Sequence, residues 1–192
     1  MNGSPDLFVL AGPNGAGKTT FFERILAPTG LDFINADRIA ALRWPGTELE
    51  HAYAAAEEAA RLRDRYLHER RSFITETVFS HPSKVELVRS AAGLGYRVHL
   101  RVLMVPVELS VARVEQRASE GGHDVPRSKI VERHARLWAL VADAIGIAYE
   151  SRVYDSSGQR GRPFIELARY RLGVVDGQPE WPSWTPNELR DR

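Results

Sequence analysis

Two hydrophobic periods alternate along the chain. Short apolar runs bounded by turn residues predict strands at 7–11, 31–36, 72–79, 96–105, 148–154 and 164–168. The fourth passes from alternation at Val98, Leu100 and Val102 into a continuous apolar stretch ending at Val105. Between the strands, three-and-four spacing predicts helices over 18–26, over a short segment holding Ile39, Ala40 and Leu42, and over 48–70, 82–93, 107–119 and 126–144. Pro28 and Gly30 stop the first helix, Pro45 and Gly46 the second, and the glycine-containing stretch 120–125 separates the last two. Strands alternating with helices predict an α/β protein with a parallel sheet and helices on both faces.

Composition limits what this pattern can serve. The 192 residues, 43% hydrophobic and 27% charged, suit one globular domain over 1–192 with a sizeable core, divided here into a lid at 107–144 and a tail at 176–192. Absence of cysteine excludes a disulfide framework, thiol catalysis and cysteine-ligated metals, and fits a reducing cytoplasm, the expected location. With 26 Lys+Arg against 25 Asp+Glu the net charge is +1, so an extended nucleic acid or an anionic membrane is not an expected partner. No run reaches the roughly 18 apolar residues of a membrane span, and the first residues lack a basic segment followed by an apolar one.

Local chemistry is concentrated just after the first strand. Gly12-Pro13-Asn14-Gly15-Ala16-Gly17-Lys18-Thr19 has the spacing of a phosphate-binding P-loop between strand and helix. Small residues let backbone N–H groups converge on phosphate oxygens at the positive end of the following helix. The expected nucleotide-binding segment is Gly12, Pro13, Asn14, Gly15, Ala16, Gly17, Lys18, Thr19 and Thr20, with ATP and Mg2+ as cofactors. Lys18 would meet the outer phosphates, and the Thr19 hydroxyl would take one position around magnesium. No guanine-reading Asn-Lys-X-Asp sequence follows, and the chain is too short for motor subdomains, so a compact kinase fits better than a switch or motor.

Asn35-Ala36-Asp37, Thr75-Glu76-Thr77 and Gly121-Gly122-His123-Asp124-Val125-Pro126 follow the P-loop in that order. With the P-loop they make the sequence resemble the zeta-toxin-like P-loop kinases over roughly Leu7 to Trp138. The resemblance implies an adenylate-kinase-like sheet with a helical lid, Mg-ATP, and phosphorylation of a hydroxyl, which in the best-known toxins lies on a UDP-linked N-acetyl amino sugar such as UDP-N-acetylglucosamine. It also implies an antitoxin carried on a separate chain.

Asp37, after the second strand, matches the family's catalytic aspartate and would orient the attacking hydroxyl, although an aspartate there also suits a helix N-cap. Glu76, at the end of the third strand, matches a substrate-contacting glutamate; it could instead hold a magnesium-bound water. Thr77 is a nearby hydroxyl for substrate, while Val78 stands where some of the toxins carry threonine. Among six basic residues between 113 and 136, Arg117, then Arg133 and Arg136, are the expected catalytic cations, with surface pairing such as Glu132 to Arg136 as the alternative. His123 is read as a lid or turn contact, Tyr154 to Gly158 as the adenine-facing loop, and the Trp181–Thr185 tail as covering its own domain. Other acceptors stay open: NAD, a nucleotide, a polynucleotide end or an antibiotic. So does a non-kinase, ATP-dependent partner-binding protein.

Overall fold

The structure, a computed structural model, describes residues 3–120, 125–158 and 162–191. Seven strands form one sheet in the order β2-β3-β1-β4-β5-β6-β7. The first five, β1 (Asp6–Ala11), β2 (Asp32–Ile34), β3 (Phe73–Thr77), β4 (Arg97–Met104) and β5 (Glu150–Asp155), are parallel. The strands β6 (Ile165–Arg171) and β7 (Val174–Val175) then run antiparallel at one edge. The sheet is thus mostly parallel α/β, as the pattern predicts. The antiparallel edge was not predicted.

Period-two alternation divides β1 between two cores. Leu7, Val9 and Ala11 face the larger one, with Val98, Leu100 and Val102 of β4. There they meet α3 (Ala52–His68), α4 (Ser83–Gly93) and α6 (Arg127–Ile147). Leu10 faces the smaller core, where α1 (Lys18–Phe21) brings Phe21 against Ile74 and Leu103. The predicted first helix is helical over its whole length, but its second half, Phe22–Leu26, widens to π geometry, and Ala27–Thr29 beyond it forms a 3-10 turn.

Two boundaries move for local reasons. The second strand ends at Ile34 because Asn35 caps the next helix, α2 (Ala36–Arg43), its side chain accepting the Arg38 N–H at 3.0 Å. Asp37 is therefore in the helix's first turn rather than at its cap. The segment expected as a lid comprises α5 (Val107–Ser119) and α6, but the second half of α6 is core, with Leu137, Trp138, Val141, Ala144 and Ile145 buried. Trp181 and Trp184 of the tail pack against the main core, and Leu189 of α7 (Asn187–Arg190) is fully buried there. No helix among the described residues is long and apolar enough to cross a membrane.

Candidate active site

The loop from Gly12 to Gly17 owes its course to close backbone approach. Gly12 has φ 155°, and a Cβ there would stand 2.7 Å from the Leu103 carbonyl oxygen. Gly15, at φ 73°, leaves room for the Ser110 carbonyl, which a Cβ would meet at 2.8 Å. The start of α5 thus lies directly against the loop. Ser110 Oγ donates to the Asn14 carbonyl at 2.5 Å.

Lys18, the first residue of α1, is buried, and its Nζ donates to the Gly12 and Pro13 carbonyls at 3.0 Å each. Glu76 Oε1 lies 3.8 Å away. Burial pushes the Lys18 ammonium down and the Glu76 carboxyl up, each opposed by the partner's charge. Asp37 adds to the rise at Glu76, while Asn35 Nδ2 donates to Glu76 Oε2 at 3.0 Å and favours its ionised form. The buried Lys18, the half-buried Glu76 and the exposed Asp37, on three different elements, therefore meet at the carboxyl ends of β1 and β3.

A cavity of about 340 Å³ opens there. Asn14, Lys18, Thr19, Asp37, Glu76 and Arg117 are among its walls. Lys18, Thr19, Asp37, Glu76 and Arg117 are thus brought to one cavity, whereas Thr77, Arg133 and Arg136 do not line it. Arg133, on α6, does not line this cavity among the described residues. Arg136 is exposed and pairs with Glu132 at 3.4 Å, the surface alternative. Thr77 Oγ1 accepts the Phe79 N–H at 3.0 Å, a turn role, while the residue borders a neighbouring cavity. The stretch from Gly121 to Asp124, including His123, lies outside the described residues.

Two site residues were given no role on sequence grounds. Asn35 orients Glu76 while capping α2. Arg113 lines the cavity and donates to the carbonyls of Gly15, Ser156 and Ser157 at 3.1, 3.0 and 3.0 Å. It therefore ties the P-loop to the segment after β5. Its signal was present: Arg113 and Arg117 are four residues apart, one turn of a single helical face.

The donor set fits a triphosphate with magnesium. Thr19 would offer a hydroxyl to a phosphate-bound magnesium, and Asp37 and Glu76, which line the same cavity, could hold its waters. Among the described residues there is no cluster of three or more His, Asp or Glu side chains able to hold a metal by itself.

Comparisons with known proteins agree with this geometry. The AAA domain family matches residues 7–140, well over half of the chain. No protein of curated function matches the sequence. Similar solved structures include the AvrRxo1-ORF1:-ORF2 complex with ATP, with TM-score 0.69 and 16% identity over 91% of this chain and 61% of that one. Another is the PezAT toxin-antitoxin system of Streptococcus pneumoniae, with TM-score 0.60 and 18% identity over 85% of this chain and 72% of that one. The Pnkp1/Rnl/Hen1 RNA repair complex gives TM-score 0.53 and 20% identity over 73% and 46%. The chain spans about three fifths of the length of the AvrRxo1 chains it matches. At these identities the likeness is one of fold. With the loop, the strand order and the family match in agreement, the chain belongs to the AAA domain family and has a kinase-like P-loop fold.

Proposed function

We propose that the protein is a Mg-ATP-dependent kinase that phosphorylates a hydroxyl of a small molecule. The observation that carries this reading is the cavity that Lys18, Thr19 and Arg117 line together with Asp37 and Glu76. The cations and the hydroxyl suit a polyphosphate, and the carboxylates suit an alcohol. The hydroxyl oxygen forms a bond to the γ-phosphorus as the bond from that phosphorus to the β-bridging oxygen breaks, and ADP leaves. The hydroxyl proton passes to Asp37, whose main task is to aim the oxygen. Lys18 and Arg117 take up charge on the transferring group, with Arg133 as a further cation if the lid closes. Magnesium, when bound, would neutralise phosphate charge beside Thr19.

The sequence resemblance and the fold shared with PezAT support a nucleotide-linked amino sugar, with UDP-N-acetylglucosamine first, as acceptor, and a separate antitoxin chain as partner. They also support one domain over 1–192 with a lid drawn from 107–144 and a tail at 176–192.

Labelled ATP incubated with UDP-N-acetylglucosamine, and in parallel with a metabolite extract, should yield a phosphate-shifted product by mass spectrometry and equal ADP. Lys18→Ala and Asp37→Ala should each abolish it. Unchanged initial rates in both variants, at saturating and subsaturating ATP, would sink the mechanism. ADP release without a phosphorylated product would favour the partner-binding protein.

A further inference from the structure

A second cavity runs between α3 and α4 and meets the first at Glu76. Its inner part, about 180 Å³, is bounded by Glu76 and Thr77 at the strand end and by Arg63 and Lys84 on the two helices. An adjoining space of about 310 Å³ shares both cations and has Asp64, Ser83 and Ser90 along its rim. Ala56 and Ala59 keep the helix wall of the inner part low.

Arg63 and Lys84 are both half-buried, and among the described residues neither side chain makes a hydrogen bond or an ion pair within 4.0 Å. Burial pushes the Lys84 ammonium down, and the neighbouring Arg63 charge pushes it further. Burial also lowers Arg63, with the charge of Asp64 working the other way. The other cations that burial lowers are all provided with oxygen partners. Lys18 has two carbonyls, Arg101 has Glu150 at 2.7 Å, and Arg113 has three carbonyls. Two like charges held side by side out of water cost stability unless an anion joins them.

We propose that Arg63 and Lys84 form an anion subsite of the acceptor. The molecule to be phosphorylated carries a phosphoryl group that seats between α3 and α4 while its hydroxyl lies at Glu76 and Asp37. Two cations match the double charge of a phosphoryl group better than the single charge of a carboxylate. The guanidinium fork and the ammonium together offer it convergent donors. The inference rests on the kinase reading, because it takes Glu76 as the point where donor and acceptor meet.

The test uses the full chain with MgADP at saturation, titrated with inorganic phosphate by calorimetry and followed by thermal shift. The unaltered protein should bind phosphate and melt higher with it. The double variant R63Q/K84Q should lose at least roughly tenfold in phosphate affinity and keep its ADP affinity within about twofold. Lys84→Gln alone should melt no lower than the unaltered protein without phosphate, since it relieves a like-charge contact. Equal phosphate affinity in the double variant overturns the subsite. So does loss of the phosphate signal in Arg117→Gln, which would place the ion beside the nucleotide, or a fall in melting temperature in both single variants with phosphate binding intact. Acetate binding as tightly as phosphate overturns the phosphoryl assignment. Failure to bind ADP would instead count against the P-loop reading, and phosphate titration of the two proteins would still read the subsite.

Discussion

Arg113 and Arg117 stand one helical turn apart on α5 and are held in opposite ways. Arg113 is fixed by three backbone carbonyls, while Arg117 lines the same cavity exposed to solvent. A cation whose donors are already used holds loops in place. One whose donors are free can answer charge that arrives with a ligand. Arg113 is therefore already fixed without a ligand, whereas Arg117 is free to meet one.

Four substitutions break or sharpen that contrast. The largest effect should come from Arg117→Ala, with kcat reduced by about 10³ or more in the kinase assay and melting temperature unchanged. Equal falls in kcat and stability would show that Arg117 is structural after all. Gly15→Ala forces a side chain onto a left-handed backbone and against the Ser110 carbonyl. It should cost about 3 kcal/mol in denaturant unfolding and remove measurable ADP binding by calorimetry. Arg113→Ala strands three carbonyls and should destabilise by about 2 kcal/mol, weakening ADP binding with it. Arg136→Ala removes only an exposed pair with Glu132. It should change stability by less than about 0.5 kcal/mol and kinetics by less than about twofold.

A fifth prediction concerns pH. His134 Nε2 donates to the Val105 carbonyl at 2.9 Å, and Trp138 Nε1 donates to Nδ1 at 3.4 Å, so the ring is held neutral between β4 and α6. Burial puts its folded value below the ordinary 6.5, against a favourable bond to Val105 and the charge of Glu108. Because that value is depressed, the stability it contributes is present above pH 6.5 and is lost as pH falls through the lowered value. Melting temperature should therefore drop more steeply below pH 6.5 in the unaltered protein than in His134→Gln. Parallel curves would refute the assignment.

Much of this architecture was legible because parallel strands buried on both faces leave continuous apolar runs, as in Val102 to Val105. The P-loop, Asp37 and Glu76 were legible because short motifs at strand ends carry their own spacing. The edge hairpin was not. Its turn places Leu172 at φ 50° before Gly173 at φ 76°, where the recognisable signal would be asparagine followed by glycine. Nor could charge alone rank the lid arginines. Arg113, Arg117 and Arg136 differ only in what lies opposite them, and that depends on contacts between segments far apart in sequence.

The tie made by Arg113 also dictates how the molecule can breathe. Gly15 and the Ser156–Ser157 segment are fastened to the same guanidinium, so the first two turns of α5 travel with the rim of the nucleotide cleft. Any motion of α5 against that rim is then expected beyond Arg113, toward Ser119. Amide exchange along α5 should consequently form a gradient, slow at Val111 and fast past Arg117, which nucleotide flattens from its free end.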